Sequence, residues 1–174
     1  KKMKKLVEKQ RLKNREIGAM HWDNSLTLEF NGKNPSVCAI VIEKVDNIPT
    51  VFLTGDSTVT DQQKEPWTSW GQMLTRFLKP EIAIANYAES GETLTAFKGE
   101  RRLEKLLTQM KAGDYLFIQF AHNDMKRGTP EEIGYQDSLR HFIHEARKRD
   151  AHPVLVTSMH RRQFDDNGKV IDTM

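Results

Sequence analysis

The sequence predicts an α/β domain built on a parallel sheet with helices on both faces. From residue 51 onward, short apolar runs alternate with segments whose apolar residues recur at helical spacing. Strands that are separated by helices run parallel and bury both faces of their sheet. The strand candidates are residues 51–54, 82–85, 115–120 and 153–157. The expected architecture is therefore a three-layer α/β/α sandwich.

Three helices are predicted between these strands, because apolar residues three or four positions apart form one face of a helix. Such a face packs against the sheet and would supply the outer layers of the sandwich. The three apolar faces comprise Trp70, Leu74, Phe77 and Leu78; Leu103, Leu106, Leu107 and Met110; and Leu139, Phe142, Ile143 and Ala146.

Two segments precede the main domain, which we assign to residues 50–174. Residues 1–16 form a basic segment with only a thin apolar face. Within residues 17–46, apolar and polar residues alternate around Leu28, and an Asn-Gly turn leads to a second apolar run at 37–42. This pattern predicts a β-hairpin. The hairpin would be a remnant of an N-terminal β-domain or an extra layer on the main domain.

Composition restricts the class of protein and its partners. The charged fraction of 29% and the hydrophobic fraction of 37% are typical of a folded globular chain. No apolar run approaches the roughly 20 residues that span a bilayer, so no membrane partner is expected. Residues 1–15 hold eight of the 27 Lys and Arg side chains and one of the 24 acids. The remainder is mildly acidic, which argues against nucleic acid and favours a solvated basic tail.

Polar residues follow three of the predicted strands directly. Gly-Asp-Ser-Thr at 55–58 follows the first, Asn86 and Gly91 follow the second, and His-Asn-Asp at 122–124 follows the third. Ligands of open α/β sheets bind in the crevice outside the carboxyl ends of the strands. A serine hydroxyl, a backbone N–H and an amide could therefore converge on one site. This combination of groups suits acyl transfer.

The three blocks resemble blocks I, II and III of the SGNH (GDSL-type) hydrolases, in particular their rhamnogalacturonan acetylesterase branch. The stretch 50–62, the Trp-Gly-Gln-Met-Leu at 70–74, and the Arg-Arg-Gln-Phe at 161–164 with Gly168 and Lys169 also resemble that branch. The resemblance covers about residues 50–174. It implies a flavodoxin-like SGNH hydrolase fold and a carbohydrate esterase that uses no cofactor.

The resemblance implies a role for each block. Ser57 is expected to be the nucleophile that attacks an ester carbonyl and forms an acyl-enzyme. The N–H groups of Ser57 and Gly91 and the side-chain amide of Asn123 are expected to form the oxyanion hole. Asp56 and His122 are expected to support the loops that carry these groups.

Simpler roles remain open for several of these residues. Ser57 could cap the following helix, and Gly91 could be a turn glycine alone. Asp124 is expected to anchor its loop rather than to act as a general base. Trp67 follows the nucleophile loop, where an exposed ring would stack on a sugar or, alternatively, pack against the protein.

Two departures from the family pattern affect the expected activity. Ala121 stands where the third block usually begins with glycine. More seriously, the chain contains no Asp-x-x-His motif, which in the family supplies the catalytic base and its carboxylate. We therefore expect a domain truncated before that block, with little or no activity. His160 is a weak substitute because no neighbouring carboxylate orients it, and no cluster has metal-ligand spacing.

The sequence thus predicts a serine acetylesterase that acts on a pectic, rhamnogalacturonan-type polysaccharide. The expected partners are the acetylated polysaccharide or oligosaccharide and a second copy that pairs with the incomplete sheet edge. The resemblance places the protein in a secreted or periplasmic compartment, although the chain shows no signal peptide. Two alternatives stay open. A lipase or thioesterase of the same family would have an apolar groove, and a non-catalytic carbohydrate-binding module would have no donors facing Ser57.

Overall fold

Four parallel strands form one sheet in the part of the chain that the structure describes. The structure is a computed structural model and describes residues 11–17, 28, 30, 32–160 and 162–171. The strands are β1 (Thr50–Gly55), β2 (Ala83–Asn86), β3 (Tyr115–Gln119) and β4 (His152–Leu155). The four predicted strands and their parallel arrangement are confirmed.

The strand order, β2-β1-β3-β4, places the ends of three strands together. Leu53 of β1 pairs with Asn86 at the end of β2, and Gly55 of β1 pairs with Gln119 at the end of β3. The chain passes from β1 to one neighbour and later to the other, so the order reverses between β1 and β3. In sheets of this kind, that reversal opens a ligand-binding crevice at the carboxyl ends of the strands.

In the described part of the chain, four helices flank the sheet, and the three predicted apolar faces are confirmed except at Phe77. The helices are α1 (Trp70–Met73), α2 (Leu94–Gly99), α3 (Arg102–Leu107) and α4 (Tyr135–Arg147). The α1 helix is a single turn that continues as a 3₁₀ turn, and Phe77 at its end is 75% exposed. The α2 helix was not predicted, because six residues are too few for a helical period to be recognised. No helix of the described residues has the length and apolarity to cross a membrane.

The core consists of two apolar clusters, one on each face of the sheet. Side chains of a strand alternate between the faces, so Phe52 of β1 joins one cluster and Val51 and Leu53 join the other. The first cluster contains residues of α2, α3 and α4. The second contains Val59 and packs against Trp70 of α1. The domain is therefore the expected three-layer α/β/α sandwich.

The second strand of the predicted N-terminal hairpin is not found among the described residues. Residues 32–49 contain no strand, and residues 37–42 are exposed. The first predicted strand falls largely outside the described residues. A two-stranded hairpin is marginal unless its apolar face packs on another element, and residues 37–42 bury no face against the sheet.

The segment 11–17 is not a solvated tail, as the sequence suggested, but docks on the domain. It contains a short 3₁₀ turn, Asn14–Glu16, and the Glu16 side chain is buried. The Arg11 backbone N–H donates to the carbonyl oxygen of Glu100 at 3.2 Å. Composition could not show this docking, because charge pairing depends on partners from distant parts of the chain.

Candidate active site

Ser57 lies on the exposed loop that leaves β1 at the crevice. Its carbonyl oxygen accepts a hydrogen bond from Gln62 Nε2 at 2.8 Å. The loop turns tightly because the N–H groups of Val59 and Thr60 both donate to the carbonyl oxygen of Asp56, at 3.0 Å each. Among the described residues, none makes a hydrogen bond with the Ser57 hydroxyl. No helix-capping hydrogen bond to the Ser57 side chain is therefore present among the described residues.

Asp56 lies beneath this loop and is completely buried. Its Oδ1 accepts hydrogen bonds from both the N–H and the hydroxyl of Thr58, each at 2.9 Å. These bonds fix the backbone on either side of Ser57. The Asp56 carboxylate thus holds the backbone of the loop that carries Ser57.

A line of hydrogen bonds continues from Thr58 into the sheet. Gln119 Nε2 donates to Thr58 Oγ1 at 2.8 Å, and Gln119 Oε1 accepts from Trp70 Nε1 at 2.7 Å. Gln119 is buried in β3, and both polar atoms of its side-chain amide form hydrogen bonds. Sequence reasoning missed this residue. The available signal was a single amide within the apolar run 115–120.

The second block is hydrogen-bonded to the loop that carries Ser57. Asn86 Nδ2 donates to the carbonyl oxygen of Val59 at 2.7 Å, and Thr60 Oγ1 donates to that of Ala88 at 2.9 Å. The Glu89 N–H donates to the carbonyl oxygen of Gly55 at 3.2 Å. Gly91 follows with a φ of +75°, a conformation that glycine adopts at little cost.

The third block is hydrogen-bonded to the second through Asn123. Asn123 Nδ2 donates to the carbonyl oxygen of Glu92 at 3.0 Å, and Lys126 Nζ donates to Asn123 Oδ1 at 2.9 Å. An amide nitrogen carries two hydrogens, so one remains for another acceptor. Ala121, which replaces the glycine usual in this block, has a φ of 152°, where side chains are rarely found. The three loops therefore form one hydrogen-bonded unit.

Asp124 anchors the third block to α2. Its Oδ1 accepts a hydrogen bond from the Leu94 N–H at 2.9 Å. Burial, together with the charge of Asp56, raises the pKa of Asp124 above its ordinary value. Burial and the charges of Asp124 and Asp56 also raise the pKa of Tyr135 to about 12. Asp56 and Asp124 are thus both buried carboxyl groups within the hydrogen-bonded loops.

Two of the described histidines, His122 and His160, follow β3 and β4. His122 lies beside Asn123, and its Nε2 donates to the carbonyl oxygen of Met159 at 2.8 Å. This bond ties the end of β3 to the segment that follows β4. His160 is exposed in that same segment. Neither ring makes a hydrogen bond to the Ser57 hydroxyl.

Trp67 borders an open cleft beside the site. Its side chain is 72% exposed, so it does not pack in the core. The cleft has a volume of about 170 Å³. Apart from this ring, polar side chains and backbone line it: Arg15, Thr60, Asp61, Gln62, Gln63, Lys64, Glu89 and Ser90. The described residues contain no group of three His, Cys, Asp or Glu that could hold a metal ion.

Comparison with known sequences gives a consistent result. Residues 53–172 match the family described as GDSL-like Lipase/Acylhydrolase. The rhamnogalacturonan acetylesterase RhgT of Bacillus subtilis is 42% identical over 127 residues, which are 71% of this chain and 55% of RhgT. The probable rhamnogalacturonan acetylesterase YesY of Bacillus subtilis is 34% identical over 122 residues, which are 67% of this chain and 56% of YesY. The chain thus spans about half the length of these relatives.

Solved structures show the same fold. The crystal structure of the Bacillus subtilis protein YxiM superposes with a TM-score of 0.63 at 26% identity, over 69% of this chain and 36% of YxiM. The crystal structure of TesA gives a TM-score of 0.51 at 26% identity, over 61% of this chain and 58% of TesA.

Proposed function

Because the chain belongs to the GDSL-like lipase/acylhydrolase family, we propose that it carries the nucleophile and oxyanion loops of a carbohydrate acetylesterase. The proposed substrate is an acetylated pectic polysaccharide of the rhamnogalacturonan type. The names of the relatives RhgT and YesY support this substrate class. A polysaccharide substrate also favours a secreted or periplasmic location.

One observation carries the proposal. The exposed Ser57 hydroxyl lies at the crevice between β1 and β3, and hydrogen bonds join its loop to the loops of Gly91 and Asn123. Ligands of this sheet type bind at that crevice. Acyl transfer requires a nucleophile and oxyanion donors held at fixed positions, and three hydrogen-bonded loops would provide them.

In the proposed reaction, Ser57 Oγ attacks the acetyl carbonyl carbon while a base takes the hydroxyl proton. The N–H groups of Ser57 and Gly91 and the remaining amide hydrogen of Asn123 stabilise the oxyanion. The C–O bond to the sugar breaks, and the sugar hydroxyl leaves with a proton from the conjugate acid of the base. Water then hydrolyses the acetyl-serine, which releases acetate and restores the hydroxyl.

The proposal requires a base from outside the described residues. Neither His122 nor His160 bonds Ser57, and an unassisted serine is a weak nucleophile. We therefore propose that an Asp-x-x-His block, as in the family pattern, completes the site. The 174 residues alone would then retain only the contribution of the oxyanion hole and substrate binding.

The cleft beside Ser57 favours a sugar over a fatty acyl chain. Its walls are polar apart from Trp67, whose exposed ring offers a face for stacking on a sugar. A lipase or thioesterase would instead need an apolar groove to bury its acyl chain.

The test compares the 174-residue chain with a chimera that adds the C-terminal part of RhgT. Hydrolysis of acetylated rhamnogalacturonan oligosaccharides and of p-nitrophenyl acetate should be near background for the short chain and clear for the chimera. In the chimera, Ser57→Ala should abolish turnover, and Asn123→Ala should lower kcat by about 10²–10³-fold. Ser36→Ala, which alters an exposed serine outside the sheet, should have no effect.

Two results would overturn the proposal. Full activity after Ser57→Ala would reject the serine mechanism. An equal rate for the short chain and the chimera would show that a base lies within the 174 residues.

A further inference from the structure

We propose that residues 11–17 are a positioning element of the active site, in which the Lys13 side chain tethers the loop of residues 89–92 that carries Gly91. This inference rests on the proposed function, because it concerns the placement of the oxyanion donors. Residues 11–17 lie outside residues 53–172, which match the family. The family resemblance therefore assigns them no role.

Side chains of residues 11–17 hold the loop on both sides of Gly91. Lys13 Nζ donates to the carbonyl oxygen of Ser90 at 3.0 Å and forms an ion pair with the Glu92 carboxylate. Arg15 Nε donates to Glu89 Oε1 at 2.5 Å. The residues directly before and after Gly91 are thus both bound by Lys13.

Buried charges set the register of this docking. The side chains of Arg102 and Glu92 are completely buried. Arg102 Nη1 donates to Glu16 Oε1 at 2.9 Å, and Arg102 Nε donates to Glu100 Oε2 at 2.8 Å. A buried charge without a partner is strongly unfavourable. The pairing of Glu16 with Arg102 and of Lys13 with Glu92 therefore favours one register of the segment.

The tethered loop also holds the second oxyanion donor. The carbonyl oxygen of Glu92 accepts the hydrogen bond from Asn123 Nδ2 at 3.0 Å. A shift of residues 89–92 would therefore move the Gly91 N–H and the Asn123 amide together. Oxyanion donors act by being fixed in advance at the position where charge develops, so a loosened loop should lower kcat more than it raises KM.

The first test uses the complete 174-residue chain and does not depend on catalysis. Lys13→Met should speed hydrogen exchange at the Glu92 amide, which donates to the Glu89 carbonyl oxygen, by roughly tenfold or more. The Leu53 amide in the sheet should exchange as before. Lys33→Met is the matched control, because it makes the same substitution at an exposed lysine outside residues 11–17. Unchanged exchange at Glu92 in Lys13→Met would overturn the proposal.

A second variant separates tethering from the cost of an unpaired buried carboxylate. In Lys13→Met/Glu92→Gln, thermal stability should recover relative to Lys13→Met, whereas the Glu92-position amide should still exchange fast. Lys13→Arg should restore slow exchange at least in part. Recovery of both stability and slow exchange in the double variant would show that Lys13 only balances charge, which would reject a positioning role.

The third test uses the chimera described above. Lys13→Met should lower kcat about tenfold, with KM within about twofold of the parent, and Lys33→Met should change neither. A parent-like kcat would contradict the inference while leaving the proposed function intact. An inactive parent chimera would reject the proposed function, and the exchange experiment would still decide the role of Lys13.

Discussion

At residue 55, the absence of a side chain lets the loop that carries Ser57 lie directly against β3. A Cβ on Gly55 would come within 2.5 Å of Val59 Cγ2 and 2.7 Å of the Gln119 carbonyl oxygen. The second of these atoms is backbone, so it cannot rotate away. Gly55 therefore sets how closely the loop that carries Ser57 approaches the β1–β3 crevice.

Gly55→Ala should destabilise the domain by about 1–3 kcal/mol, the usual cost of overpacking a close-packed site. Gly99→Ala is the control, since a Cβ at the end of α2 would meet nothing within 4 Å. That change should be neutral or stabilising by up to about 1 kcal/mol. Urea unfolding of both variants measures the difference, and equal stabilities would show that the loop is not tightly packed.

At the scale of elements, the contact between residues 11–17 and the loop 89–92 is sensitive to pH. Burial raises the pKa of Glu92 from its ordinary value of 4.5 to about 7, while Lys13 and Arg102 act in the opposite direction. Glu100 adds to the increase, and Glu16 is bound to Arg102. Between pH 4.5 and about 7, Glu92 is therefore protonated in the folded protein and ionised in the unfolded chain.

The stability that this proton contributes is fully present below about pH 4.5 and is lost as pH rises through about 7. At about 1.4 kcal/mol per pKa unit, the loss is on the order of 3 kcal/mol. We expect the free energy of unfolding of the wild type to fall relative to that of Glu92→Gln across this window. Urea titrations at several pH values measure it. Parallel profiles for the two proteins would contradict the assignment.

On the scale of the whole molecule, β4 forms one edge of the described sheet. It pairs with β3 on one side only, and Leu155 is 54% exposed. An open edge strand presents unpaired N–H and carbonyl groups together with apolar side chains, which favours pairing with another chain. The cores on the two faces of the sheet do not cover this edge.

The 174-residue chain should therefore self-associate through β4. Leu155→Lys should weaken the association, because a charged side chain on an edge strand opposes strand pairing. Phe77→Lys is the control, since it alters a still more exposed apolar residue at the end of the 3₁₀ turn after α1. Sedimentation velocity over a range of concentrations measures association. A monomer at every concentration, or equal effects of the two changes, would reject the role of β4.

The sequence alone was enough to predict the four strands, the parallel sheet and the three polar blocks at its edge. Local periodicity determines these features, because a buried strand and a helical face each need a particular spacing of apolar residues. The α2 helix escaped prediction because it is too short to show a period. The second hairpin strand was not found, because the apolar run at 37–42 forms a strand only if another element covers its side chains.

Only the tertiary structure decided how the site is held together. Gln119 lies 61 residues from Thr58, and Glu16 lies 86 residues from Arg102. Pairings at such separations leave no local pattern in a single sequence. They arise because a buried polar or charged group must find a partner wherever the fold places one. For this reason the sequence identified Ser57, Gly91 and Asn123 as candidates, and only the fold revealed that residues 11–17 contact the loop 89–92 on both sides of Gly91.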